Sequence, residues 1–214
     1  MITPSSLKFI KLKDYQKYCL IENPSNDDLL KSLLSTSDYE LSKMKSIEVD
    51  KIIEGFKDIF DTEHKFVSEF SIYGTTYGFI PKLDDITYGE NKDITSYIND
   101  WGNMHKAMAV MFRPVKKKLG SQYIIEDYEG SHVYSEVMKD MPLNVVMGAM
   151  VFFYNLTNEL LNYIPNYLKE QLKSLPQYKV DSIKNGELTA NYSALVKEAL
   201  QNLKKLQSFP YINA

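Results

Sequence analysis

Apolar residues recur at three- and four-residue steps from Leu41 through Met44, Ile52, Phe56 and Phe60, and then switch to alternation beyond Lys65. This change of period divides the chain, because a step of three or four marks one face of a helix and a step of two marks one face of a strand. Ser37-Asp38 to Asp61 is therefore predicted to be helical, with a break near Ser46. Ahead of it, the stretch from Lys13 suits a short helix and Asn23-Pro24-Ser25-Asn26 a turn. Asn26 or Asp27 is placed to cap a brief helix over Leu29, Leu30, Leu33 and Leu34. From Lys65 to Pro81, Phe66, Phe70, Ile72, Tyr77 and Phe79 alternate around Tyr73-Gly74-Thr75-Thr76, which predicts a β-hairpin. Pro81 to Asp85 leads out of the second strand, and Gly89 and Glu90 fall in an ordered loop.

A helix starting at Asp93 or Thr95 would set Ile94, Ile98, Trp101, His105, Met108 and Phe112 on one broad face. Pro114 excludes Arg113 from helical geometry, so this helix is expected to stop at about Phe112. Lys116-Lys117-Lys118 then reads as a solvated loop, and Tyr123 to Tyr128 as a third short strand ended by Gly130. Residues 132–140 suit a small helix. Pro142 opens the most hydrophobic element, Leu143 to Tyr154, in which Asn144 is the one strongly polar side chain. A bilayer-spanning helix takes roughly 20 apolar residues, so this shorter run is expected to be a central buried helix. Past Pro165, Pro176 and the turn Asn185-Gly186, Tyr192, Leu195, Val196, Ala199, Leu203 and Leu206 mark a final amphipathic helix. The expected fold is mainly α: one domain over residues 1–214, helical around a central buried helix. A small β-hairpin or three-strand antiparallel element is expected within 65–130.

Composition narrows the function. Twenty-five basic residues against 28 acidic ones leave a net charge of −3, which gives no general attraction for nucleic acid. Cys19 is the one cysteine, so no intramolecular disulfide forms, and a reducing compartment or a particle interior suits the chain. Lys8, Lys11, Lys13 and Asp14 interrupt the N-terminal apolar residues, unlike a signal peptide. His64, His105 and His132 are scattered, with no i, i+4 pair, so no metal or other cofactor is expected. Neither a phosphate-binding glycine loop nor a Gly-x-Ser-x-Gly elbow is present, and no catalytic residue stands out. The expectation is a protein that is not an enzyme. A small hydrolase using Asp84, Asp85 or His105 is the remote alternative, and needs those groups to converge in a pocket.

Arg113 is the single arginine in a chain rich in lysine, isoleucine, asparagine and tyrosine. AT-rich coding would produce that bias without selection. Even so, a guanidinium offers a planar fork that an ammonium cannot replace. The nearest acidic clusters in sequence are Asp84-Asp85 and Glu126-Asp127-Glu129. Arg113 is expected to form a bidentate pair with one of them, clamping the hairpin loop to the Trp101 helix. An exposed arginine of no consequence is the competing reading. Trp101 and His105 stand one helical turn apart, and core packing outweighs catalysis for His105. Met104, Met108, Met111, Met138, Met141, Met147 and Met150 would suit an adaptable groove, but interleaving with Phe112, Val145, Val146 and Phe152 favours core packing.

Three blocks, taken in order, resemble small tail- or baseplate-assembly proteins of tailed bacteriophages, including AT-rich crAss-like phages. They are Tyr77-Gly78-Phe79-Ile80-Pro81-Lys82-Leu83-Asp84-Asp85-Ile86-Thr87-Tyr88-Gly89-Glu90, Trp101-Gly102-Asn103-Met104-His105-Lys106-Ala107-Met108-Ala109-Val110-Met111-Phe112-Arg113-Pro114 and Met138-Lys139-Asp140-Met141-Pro142-Leu143. The resemblance spans much of residues 65–165. It implies a non-enzymatic virion-assembly chaperone in the host cytoplasm that binds another phage structural protein, such as a tape-measure or baseplate protein. The alternative it leaves open is a permanent neck, tail or capsid-interior component of the virion, with a homo-oligomeric ring as one arrangement. No membrane partner is implied.

Overall fold

Side-chain caps set where three of the described α-helices begin. The computed structural model describes residues 4–83 and 86–156. Helix α1 covers Leu12–Cys19. Helix α2, Asn26–Leu34, is capped by Ser25, one residue earlier than Asn26 or Asp27: the Ser25 hydroxyl accepts from the Asp28 amide, and the Asp28 carboxylate accepts from the Ser25 amide. The same reciprocal pair, Ser37 with Glu40, opens α3 at Asp38–Ser42. Helix α4 resumes at Ser46–Phe60, so the expected break falls between them. Each such box satisfies two of the amides that a helix start leaves bare.

The single helix expected from Asp93 or Thr95 to Phe112 is in fact two. Helix α5 starts earlier, at Tyr88–Tyr97, with Thr87 and Glu90 forming another capping box. Helix α6 covers Met104–Met111. Between them Trp101–Asn103 forms a 3-10 turn, held by the Asp100 carboxylate accepting from the Gly102 amide at 2.8 Å. This local bond competes with helical pairing and stops the run.

The hairpin forms as expected from β1, Glu69–Ile72, and β2, Thr75–Phe79. Its two-residue turn has Tyr73 and Gly74 both at positive φ, 51° and 80°, as a primed hairpin turn requires. The chain leaves α6 directly into β3, Phe112–Leu119, so the lysine run is strand and not loop. Strand β4 is Gln122–Ile125. The four strands form one antiparallel sheet in the order β1-β2-β3-β4, one strand more than expected. Arg113 pairs opposite Gly78, and a register irregularity between Val115 and Lys117 bends β3 where it leaves the core. Lys118 crosses to Glu69, with its Nζ 2.8 Å from both carboxylate oxygens. That contact uses a charge which a hydrophobicity pattern reads as loop.

One sheet face carries Phe70, Phe79 and Phe112, with ring centroids 5.2 Å apart from Phe112 to each neighbour. Tyr15 of α1 meets Trp101 edge-on at 4.8 Å. The N-terminal segment is clipped to residues 139–143 by backbone bonds, among them Leu12 N–H to Met141 O and Leu143 N–H to Ile10 O. Helix α7 is Ser135–Met138. All seven clustered methionines are buried, so they pack the core and line no groove.

The chain groups into two compact units, Met1–Ala149 and Met150–Ala214, a finer grouping than the single 1–214 domain expected from sequence. In the first, residues 143–149 form helix α8, with Leu143, Val146 and Ala149 fully buried. In the second, residues 150–156 are helical. The expected turn at Asn185-Gly186 and helix over Tyr192 to Leu206 lie outside the described residues. Among the described residues no helix is long and apolar enough to cross a membrane.

Candidate functional site

Arg113 is 6 % exposed, and its Nη1 donates to Glu90 Oε1 at 2.5 Å. That partner, Glu90, is not in the Glu126-Asp127-Glu129 cluster expected from sequence. Glu126 accepts from the Tyr134 hydroxyl, and Asp127 accepts from Lys116 Nζ at 3.2 Å. Asp84 and Asp85 lie outside the described residues. The contact is also single rather than bidentate, since one guanidinium nitrogen meets one carboxylate oxygen. Arg113 therefore fastens the first turn of α5 to β3.

The physical reason is the capping box. Glu90 is held in place by its own backbone role, with Oε2 accepting from the Thr87 amide at 2.6 Å. Its other oxygen is thereby aimed at the strand. Burial pushes the Glu90 carboxyl up, but the Thr87 amide and hydroxyl and the Arg113 guanidinium outweigh it and hold the carboxyl below its usual range. The sequence signal was present as Thr87-x-x-Glu90, a threonine followed three residues later by glutamate.

Around the pair, the Tyr128 ring centroid stands 5.6 Å from the Arg113 guanidinium carbon. The Tyr128 hydroxyl donates to Asp93 of α5, and burial followed by that carboxylate raises its pKa well above the ordinary tyrosine range. Helix α5 thus holds both the guanidinium and the ring beside it. Opposite Arg113, a Cβ on Gly78 would collide with the Tyr123 ring. Tyr123 crosses the strand there and donates to the carbonyl oxygens of Phe79 at 2.9 Å and Ser68 at 3.2 Å. Only glycine leaves room for that crossing.

These groups line a cleft of about 1150 Å³ between the start of α5, the loop before it, and the β3–β4 end of the sheet. Leu119 and Ile124 are among its lining residues and are strongly exposed, at 78 % and 62 %. Arg113 Nε has no hydrogen-bond partner although it is buried.

Trp101 and His105 sit elsewhere, joined by a residue that sequence reasoning missed. Gln16 of α1 is buried, and its Nε2 reaches the Trp101 carbonyl at 2.5 Å, the Gly102 carbonyl at 3.2 Å and His105 Nδ1 at 3.1 Å. Burial, then the nearby Lys139 and Lys106, lower the His105 pKa. A further cluster gathers at Asp140. Lys11 at 2.9 Å, Lys13 at 2.8 Å and the Tyr73 hydroxyl at 2.6 Å converge on its carboxylate and hold it far below the usual range. Asp140, not Arg113, secures the β1–β2 turn. Among the described residues no group of three or more histidine, cysteine, aspartate or glutamate side chains is arranged to hold a metal ion.

Comparison with protein-family models, curated proteins and solved structures gives no match to this chain.

Proposed function

We propose that this chain is a non-enzymatic assembly protein of a tailed bacteriophage, binding another tail or baseplate protein during morphogenesis. One observation carries the reading: two of the blocks that resemble phage assembly proteins, separated in sequence by residues 91–100, meet at one cleft. Ile80, Pro81, Lys82, Ile86, Thr87 and Glu90 come from the first block and Arg113 from the second, and all line it. The titratable groups described there hold the fold together. Glu90 caps a helix and binds Arg113, Tyr128 is bonded to Asp93, and Glu126 to Tyr134. An open, apolar-rimmed cleft over such a fixed floor suits recognition of a protein surface.

Deletion of the gene from the phage genome that encodes it tests the reading. Particles arrested before tail or baseplate completion are expected by electron microscopy, and a full yield of normal particles would overturn it. Mass spectrometry of purified mature particles then separates two modes of action. Absence fits a chaperone that leaves, and stoichiometric presence makes the chain a permanent component.

A further inference from the structure

We propose that the cleft takes an extended segment of the partner protein, and that a glutamate or aspartate side chain of this segment occupies the Nε–Nη2 edge of Arg113. The inference rests on the assembly reading only for the identity of the partner. A guanidinium has five N–H donors in a planar fork. Glu90 takes Nη1, Nε is buried without a partner, and no hydrogen bond forms at Nη2 among the described residues. The vacant edge is the one that matches two carboxylate oxygens side by side. A buried donor left unmade is costly, so it marks a place where an acceptor is missing.

A second cation stands on the cleft lining. Lys117 lines the cleft and has no ion pair among the described residues, whereas the rim carboxylates Glu126 and Asp127 are engaged by Tyr134 and Lys116. Shape favours an extended chain. From Arg113 to Leu119 the strand measures about 20 Å at roughly 3.3 Å per residue. The lining continues beyond Arg113 to Ile80 and Ile86, so a bound chain runs past the guanidinium, which suits a side chain better than a terminal carboxylate. Strand β4 is also an edge: among the described residues it pairs with β3 alone. Its outward amides and carbonyls are open to a further strand, and Ile124 and Leu119 offer apolar contact for alternate side chains.

The test is selection of a yeast-displayed random twelve-residue peptide library on the full-length protein, followed by NMR of the arginine side chain. Because the chain has one arginine, its Nε–H gives a single cross-peak that reports Arg113 directly. Selected peptides are expected to share one acidic position between apolar residues and to shift that peak. Changing the acidic residue to its amide should abolish the shift and weaken binding about tenfold or more, as loss of a charge-assisted pair does. Arg113→Lys should weaken binding similarly. If that variant does not fold, the wild-type spectrum alone decides. An empty selection, peptides with no shared acidic position, or an unmoved Nε–H peak overturns the proposal. Particles arrested by gene deletion together with an unmoved peak would remove the cleft chemistry and leave the assembly role. Peptide binding with normal particle yield would do the reverse.

Discussion

Replacing Arg113 and Glu90 by methionine, singly and together, measures what the buried pair does for the fold. Both side chains are under a tenth exposed, 8 % and 5 %, and the nitrogen–oxygen distance is 2.5 Å. Arg113→Met leaves the Glu90 carboxylate buried with only Thr87 to solvate it. Removal of one partner of a buried pair costs about 3–5 kcal/mol. Glu90→Met strands the guanidinium and in addition opens the capping box, which adds about 1 kcal/mol. The double variant removes both charges, so it should recover most of the loss, and a coupling energy of at least about 3 kcal/mol is expected. In a chain of this length each kcal/mol moves Tm by about 2–4 °C, so Arg113→Met should melt roughly 6–20 °C and Glu90→Met roughly 8–24 °C below wild type. Urea unfolding followed by the fluorescence of Trp101, the one tryptophan and buried against Tyr15, reads the cycle. A coupling below about 1 kcal/mol, the value of an exposed ion pair, would refute the argument.

Four further outcomes follow from the same structure. Glu90 and Asp140 have lowered pKa values, so their stabilisation is complete above the unfolded carboxylate range near pH 4 and is lost as pH falls through the folded values. The urea midpoint should therefore drop steeply below about pH 4, less so in Asp140→Asn, and an unchanged acid limb in that variant would contradict the assignment. His105 is also lowered, so the unfolded chain takes up its proton first; a shallower decline should begin below about pH 6.5 and vanish in a His105→Gln variant that folds. A Cβ on Gly148 of α8 would overlap the Lys65 carbonyl oxygen, and Gly148→Ala should cost about 1–3 kcal/mol in urea unfolding; a neutral result would deny that close approach. Gln16→Leu leaves the Trp101 carbonyl and His105 Nδ1 without their buried donor and should cost about 1–3 kcal/mol, with unchanged stability counting against the bridge.

Periodicity made the local elements legible where one face is buried. The break before Ser46, the hairpin around Tyr73-Gly74 and the helix after Pro142 follow from apolar spacing and turn chemistry alone. Periodicity failed where polar side chains decide. Asp100 interrupts an apolar stripe that otherwise runs from Ile94 to Phe112, and Glu69 recruits a lysine into a strand. The site was half legible. The rarity of Arg113 marked it as special, and Pro114 marked its exit from the helix. Its partner was sought among neighbouring acidic clusters when the deciding clue was the Thr87–Glu90 spacing. Gln16 carried no sequence signal, because its partners lie 85 to 89 residues away.

Exchange of the two exposed cleft residues, Leu119 and Ile124, for aspartate in the encoding genome tests the proposed recognition through this cleft most directly. Both side chains face solvent, so the purified double variant should unfold at the wild-type urea midpoint. Particle yield should nevertheless fall to that of the gene deletion. A wild-type yield of complete particles from the same variant would contradict the account.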